Sequence, residues 1–151
     1  MILDLLKKKT IAVNVKAADW KKVVDETGKL LLEADQIKEK YIEAMKQSII
    51  ENGPYVVIGK GIALLHARPE DGVKENCLSL ITLEEPVEFG NENNDPVQIA
   101  FAFGTVDNDK HVKTISELSV VLVEDSAVDK IAEMGSAEDI ISYIEEILSQ
   151  Q

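Results

Sequence analysis

The sequence predicts an α/β sandwich, with a central mixed β-sheet flanked by helices, in one domain spanning residues 1–151. Three observations point there. Apolar runs of strand length, Ile62–Leu65, Cys77–Leu83 and Val97–Phe103, crowd the middle of the chain. Stretches whose apolar residues recur every 3.6 positions lie on both sides of them. The connections alternate between short returns and helical crossovers, which suits a mixed sheet better than a purely parallel one.

In chain order, Met1–Leu6 is apolar enough for an edge strand or a short helix, and Ile11–Val15 forms a second short run. Asp19 is placed to cap a helix that turns Trp20, Val23, Val24, Thr27, Leu30 and Leu31 to one face. Gly28 lowers the propensity of that helix without ending its pattern. Ile37, Tyr41, Met45 and Ile49 make the stripe of a second helix over 37–49, which Asn52-Gly53-Pro54 stops. Tyr55–Ile58 and Ile62–Leu65 have strand length, with Gly59 and Gly61 between them, and Arg68, Pro69 and Gly72 mark the following turn. After Cys77–Leu83, a turn at Glu84-Glu85-Pro86 is expected to separate Val87 and Phe89 from the strand. Residues 90–96 read as a polar loop and Val97–Phe103 as a central strand. Asn108 or Asp109 caps the next helix, with Val112, Ile115, Leu118, Ser119 and Leu122 inward and His111 in the first turn. A short helix around Val128 and Ile131 ends near Gly135. Ser136 and Asp139 then open a last helix carrying Ile140, Ile141, Ile144, Ile147 and Leu148.

Charge narrows the function. Sixteen basic against 28 acidic residues give a net charge of −12, and no basic stripe with interleaved aromatics interrupts it. Such a surface repels phosphate backbones, so DNA and RNA binding are disfavoured. No apolar run approaches the length that crosses a bilayer, and MILDLLKKK places its apolar residues before its lysines, unlike a signal peptide. Cys77 is the one cysteine, which excludes an internal disulfide. A cytoplasmic protein without membrane insertion is expected.

The chain has two histidines, His66 and His111. His66 follows a buried strand and precedes a turn, a position that holds a ring firmly while one edge stays open. A neutral imidazole offers a lone pair near neutral pH and can attack phosphorus, storing a phosphoryl group as an N–P bond. His111, at a helix N-terminus, is suited to donate to a phosphoryl oxygen, because the backbone N–H groups there attract anions. Arg68, two residues beyond His66, has the donors of a phosphate clamp. The plain alternatives are a buried structural histidine at 66, a solvated loop charge at 68 and an ordinary helix residue at 111. Zinc is disfavoured, since two histidines, one cysteine and nearby Asp71 or Asp107 come without CxxC or HExxH spacing. Cys77 lies in an apolar strand and reads as a core residue. GKGIALLHA is no nucleotide-binding loop, for it lacks GKS or GKT and precedes a strand.

At these residues the chain resembles the EIIA domain of the bacterial sugar phosphotransferase system, in the fructose–mannitol superfamily and especially its ascorbate-type branch. The resemblance runs through YIEAM at 41–45, GPYVVIGKGIALLHARPEDGV at 53–73, PVQIAFAFGTVDNDKHVKTISELSVVL at 96–122 and SAEDIISYI at 136–144. It implies the type-2 EIIA fold and a phosphotransferase component that works without a cofactor, through a covalent phosphohistidine. In that family the histidine matching His66 accepts the group from phospho-HPr, charged by enzyme I from phosphoenolpyruvate. It then passes the group to a cysteine of a cognate EIIB, which works with the membrane component EIIC. The histidine matching His111 lines the same pocket.

Three departures stand out. Leu65 replaces a common proline before the histidine, and Ala67-Arg68 replaces a glycine after it. Ser48, in AMKQSI, stands where mannitol- and fructose-type relatives often have arginine. HARPEDGV favours the ascorbate-like branch, and Arg68 is expected to supply the positive charge missing from the second helix. Val73, Leu65 and the start of the Asn108 helix are the expected apolar rim for partners. The alternative reading is a phosphorylation-dependent regulatory module that acts through a protein partner without efficient transfer to EIIB.

Overall fold

Alternation along the strands divides the hydrophobic core into two. Ile62, Leu64, Ile99, Phe101 and Phe103 point to one face of the sheet, and Ala63, Leu65, Ala100 and Ala102 point to the other. Both faces are buried, so these strands read as continuous apolar runs. The computed structural model describes residues 2–124 and 126–151. Its strands are β1 (Ile11–Val15), β2 (Val57–Gly59), β3 (Ile62–Leu65), β4 (Cys77–Val87) and β5 (Val97–Gly104). They lie in the order β1-β4-β5-β3-β2. The pairs β1–β4 and β3–β5 are parallel, while β4–β5 and β2–β3 are antiparallel. The sheet is therefore mixed.

Helices α2 (Trp20–Glu33) and α3 (Glu39–Asn52) cover the face of small side chains. The opposite face carries α1 (Ile2–Leu5), α4 (Asn108–Leu122), α5 (Ala127–Glu133) and α6 (Ala137–Ser149). Asp19 caps α2 through its carboxylate, which accepts from the Lys22 N–H at 2.9 Å, and the Ser136 hydroxyl oxygen caps α6 by accepting from the Asp139 N–H at 3.1 Å. Gly28 does more than weaken its helix. A Cβ there would stand 2.6 Å from Ile42 Cγ1, so the glycine sets how closely α2 and α3 approach. Gly28→Ala gains about 1 kcal/mol of helix propensity and overpacks a stiff β-branched neighbour at a cost of about 1–3 kcal/mol. Urea unfolding should show a net loss of stability, and a gain would mean that Ile42 moves aside freely.

Four expectations need correction. Ile37 lies before α3 and bridges to Val73, though it is buried on the same stripe as Tyr41, Met45 and Ile49. The strand expected at Tyr55–Ile58 begins only at Val57, because the Val57 N–H bonds back to the Pro54 carbonyl in a turn. Glu84-Glu85-Pro86 is no turn, for β4 runs through it to Val87. The pairing with β5 loses register between Thr82 and Val87, and at such an irregularity a proline's missing N–H is tolerated. In α4 the cap is Asp107, whose carboxylate accepts from the Lys110 N–H at 3.1 Å, and the buried positions are Thr114, Leu118 and Val121. Val112, Ile115 and Ser119 face outward.

Candidate active site

The parallel pairing of β3 and β5 decides what meets. Leu65 lies opposite Ala102, so the chain leaving β3 at His66 runs beside Phe103 at the carboxyl end of β5. Such carboxyl ends are where open α/β sheets form their clefts. One residue past β5, Thr105 turns the chain toward α4, and His111 arrives at the end of the first helical turn, its N–H bonded to the Asp107 carbonyl. The rings of His66 and His111 both pack on Phe103, each with its centroid 5.2 Å from that of the phenyl ring. Two residues 45 positions apart in sequence are thus held on one aromatic spacer.

His66 is half-buried and oriented. Its Nδ1 stands 2.9 Å from the Leu64 carbonyl oxygen, which only accepts, so Nδ1 carries the proton and Nε2 the lone pair. Burial is the main cause that lowers its pKa below the ordinary imidazole value. The Leu64 bond opposes that shift, and the nearby His111 adds to it. The ring is therefore neutral and nucleophilic at neutral pH. His111 Nδ1 lies 3.3 Å from Thr105 Oγ1. The ring of Tyr55 stands nearly perpendicular to that of His66 at 6.0 Å.

His66 opens into a cavity of about 650 Å³ whose walls include Ser48, Tyr55, Arg68 and Asp71. Arg68 thus shares the cavity with His66, but its guanidinium is engaged. Nε and an Nη atom lie 3.3 and 3.4 Å from the Asp71 carboxylate, and Glu70 is 3.7 Å away. Cys77 is buried, and burial pushes its thiol up to about 12, so it is a core residue and no nucleophile. Among the described residues no group of three or more His, Cys, Asp or Glu side chains is placed to hold a metal ion, and no helix is long and apolar enough to cross a membrane.

A half-buried imidazole with a fixed tautomer and a second imidazole across a phenyl ring can accept and hold a phosphoryl group. Residues 4–147 match the family model of the phosphoenolpyruvate-dependent sugar phosphotransferase system, EIIA 2. The chain belongs to the EIIA 2 family. It is 34% identical over 143 residues to the ascorbate-specific EIIA component of Salmonella typhimurium, covering 94% of this chain and 93% of that one. It is 33% identical over 141 residues to the mannitol-specific cryptic phosphotransferase enzyme IIA component of Escherichia coli K12, covering 93% and 95%. The solution structure of that cryptic mannitol-specific enzyme IIA from Escherichia coli superposes with a TM-score of 0.85 at 34% identity, covering 97% of this chain and 99% of that one. A complex of the mannitol enzyme IIA with phosphorylated enzyme IIB, also from Escherichia coli, shares the fold at a TM-score of 0.81 and 22% identity, over 94% and 99%. EIIA 2 proteins are phosphoryl carriers of sugar phosphotransferase systems.

Two site features of this EIIA 2 chain escaped the sequence. Tyr41 reads there only as a core stripe, yet its phenol oxygen accepts the Ala67 N–H at 3.0 Å and donates to the Phe103 carbonyl at 2.8 Å. It ties the residue after His66 to the residue between the histidines. The expected rim also changes. Leu65 is fully buried and Val73 packs on the core, while Val112, 64% exposed, Val106 and Tyr55 present the apolar surface near the histidines. A polar residue buried inside an apolar stripe was the available signal for Tyr41, because a buried phenol needs a partner.

Proposed function

We propose that His66 accepts a phosphoryl group from phospho-HPr and donates it to a cysteine of a cognate EIIB for uptake of ascorbate or a related carbohydrate. The observation that carries this reading is the orientation of His66, whose Nδ1–H is spent on the Leu64 carbonyl, leaving the lone pair on Nε2, in a residue that lines the cavity. Nε2 attacks phosphorus as the donor's N–P bond breaks, and the donor imidazole leaves with the electron pair. The proton on Nδ1 stays where it is, so the step needs no proton transfer. In the second step a cysteine thiolate attacks the same phosphorus and His66 returns to its neutral ring. Phosphoryl transfer of this kind depends on alignment and charge stabilisation.

In this reading the Thr105 hydroxyl, 3.3 Å from His111 Nδ1, is the donor of that contact, which leaves the His111 proton on Nε2 for a phosphoryl oxygen. Arg68 stands in the cavity wall with Nε and one Nη on Asp71, and its remaining N–H groups are the ones left to reach the group. No metal or organic cofactor enters the cycle. The partners are cytoplasmic HPr and an EIIB that works with a membrane EIIC, reached across the rim of Val106, Val112 and Tyr55.

The test is incubation with phosphoenolpyruvate, enzyme I and HPr, followed by a chase with an ascorbate-type EIIB, read by intact mass. One acid-labile phosphate that then moves to EIIB is expected. A phosphate that loads but is never passed on would favour a regulatory module acting through another partner. No phosphate, with an active donor control, would sink the carrier reading.

The pH dependence follows from the lowered pKa of His66. The neutral ring persists as pH falls past the ordinary value of about 6.5, and acceptance is lost only as pH falls through the lower pKa. In His111→Ala the neighbour that helps depress His66 is gone, so the acid limb should move upward. The variant should also transfer about 10²-fold more slowly, as expected for loss of one preorganised donor. Unchanged rates in a folded variant would remove His111 from the mechanism.

A further inference from the structure

We propose that Ser48 and Tyr55 form a two-hydroxyl donor that holds the phosphoryl group on His66, an inference that rests on His66 being the acceptor. Ser48 lies in the last turns of α3, and the reversal at Gly53-Pro54 brings Tyr55 back over it. The two hydroxyl oxygens are 2.7 Å apart. Each hydroxyl has one proton, and the bond between them uses one, so the other proton of the pair remains available. Both side chains line the cavity that His66 opens into, and the Tyr55 ring stands against the His66 ring.

Two of the cavity's other donors are engaged, while the Asn52 amide also stands in its wall. Arg68 is held by Asp71 and Glu70, and the Gln47 amide donates to Glu51 at 3.0 Å. Glu51 and Asp71 also stand in the walls, and their charges oppose a free anion. A phosphoryl group fixed covalently to Nε2 is positioned whatever that repulsion, so the hydroxyl pair acts on the bound group and does not recruit free phosphate. The charge of the donor has a consequence. A carrier must release its cargo, and a cation held against the phosphoryl oxygens would stabilise the loaded state without speeding the next transfer. A neutral hydroxyl pair holds the group more weakly than a cation would.

The experiment measures the equilibrium constant for phosphoryl exchange between phospho-HPr and this chain, for the parent, Tyr55→Phe, Ser48→Ala and the double variant. That constant relates the free proteins, so a residue that only docks the partner leaves it unchanged. Tyr55 and Ser48 are partly exposed, and the variants should fold like the parent. Each single variant should disfavour the phosphorylated chain about five- to tenfold, as for a hydrogen bond to a charged group in a partly open site. The double variant should lose little more than either, because the hydroxyls act as a unit. Ser48→Thr, which keeps the hydroxyl, should restore the parent value, and the phosphorus resonance of the phosphohistidine should move in Tyr55→Phe. Folded single variants with the parent's constant and resonance would overturn the hydroxyl pair alone. A parent chain that takes no phosphate on His66 would overturn it together with the carrier reading.

Discussion

His66→Ala is expected to leave a folded chain that accepts no phosphoryl group from phospho-HPr. The substitution removes the imidazole that lines the cavity with its Nδ1 fixed on a carbonyl and its lone pair on Nε2. Neither neighbour can replace it. Cys77 is buried with its thiol pushed up to about 12, which leaves no thiolate at neutral pH. His111 stands across Phe103 with its Nδ1 3.3 Å from Thr105 Oγ1, and it is expected to assist the group on His66 and not to take it. The structural loss is small by comparison. The ring is half-buried, and its one hydrogen bond is to a carbonyl two residues back, so a cost of about 1 kcal/mol in urea unfolding is expected. His66→Gln, which keeps a polar side chain without a nucleophilic nitrogen, should be equally inactive. Acid-labile phosphate on a folded His66→Ala chain would place the acceptor elsewhere, and peptide mapping would then locate it.

Tyr41→Phe should be the most costly single-atom change in the molecule. The phenol oxygen accepts the Ala67 N–H and donates to the Phe103 carbonyl, with the Ala67 carbonyl a longer 3.3 Å away. Burial, the leading cause, pushes the phenol pKa far up, so the group keeps the proton it donates. Phenylalanine fills the same volume but strands two backbone groups where water has little access. Leaving each unpaired costs about 1–3 kcal/mol, and because the Ala67 N–H is only part-buried the lower part of the sum, about 2–4 kcal/mol, is expected from urea unfolding. Against a usual stability of about 5–15 kcal/mol, the variant still folds. Because Ala67 and Phe103 flank the two histidines, phosphoryl acceptance should also slow at saturating donor while the KM for phospho-HPr stays near the parent value. An unchanged unfolding midpoint would mean that the two backbone groups find other partners, and the clasp would lose its role.

The parts of the fold that were legible are those where local pattern and burial agree. β3 and β5 are buried on both faces, so an unbroken apolar run is all they need, and Asp19 and Ser136 cap their helices as their positions suggest. α4 shows where pattern misleads. Val112, Ile115, Ser119 and Leu122 form one helical stripe and His111, Thr114, Leu118 and Val121 form its neighbour. The first has the apolar residues at its start, yet the second faces the core. Hydropathy prefers the first stripe because it cannot register that Val112 and Ile115 are left exposed, Val112 on the rim beside a site. β4 was cut short for a related reason, since its charged end and Pro86 lie where pairing has become irregular.

The sequence by itself determined the class of fold, the two histidines and the resemblance that joins them, because strand length, helical period and motif spacing are local properties. Tertiary structure alone decided that His66 and His111 share Phe103 and that Tyr41 clasps both strand ends. Each of these follows from setting Leu65 beside Ala102 in a parallel pair or from folding α3 across the strand ends. Such contacts join residues far apart along the chain, and no local periodicity encodes which distant partner a side chain will meet.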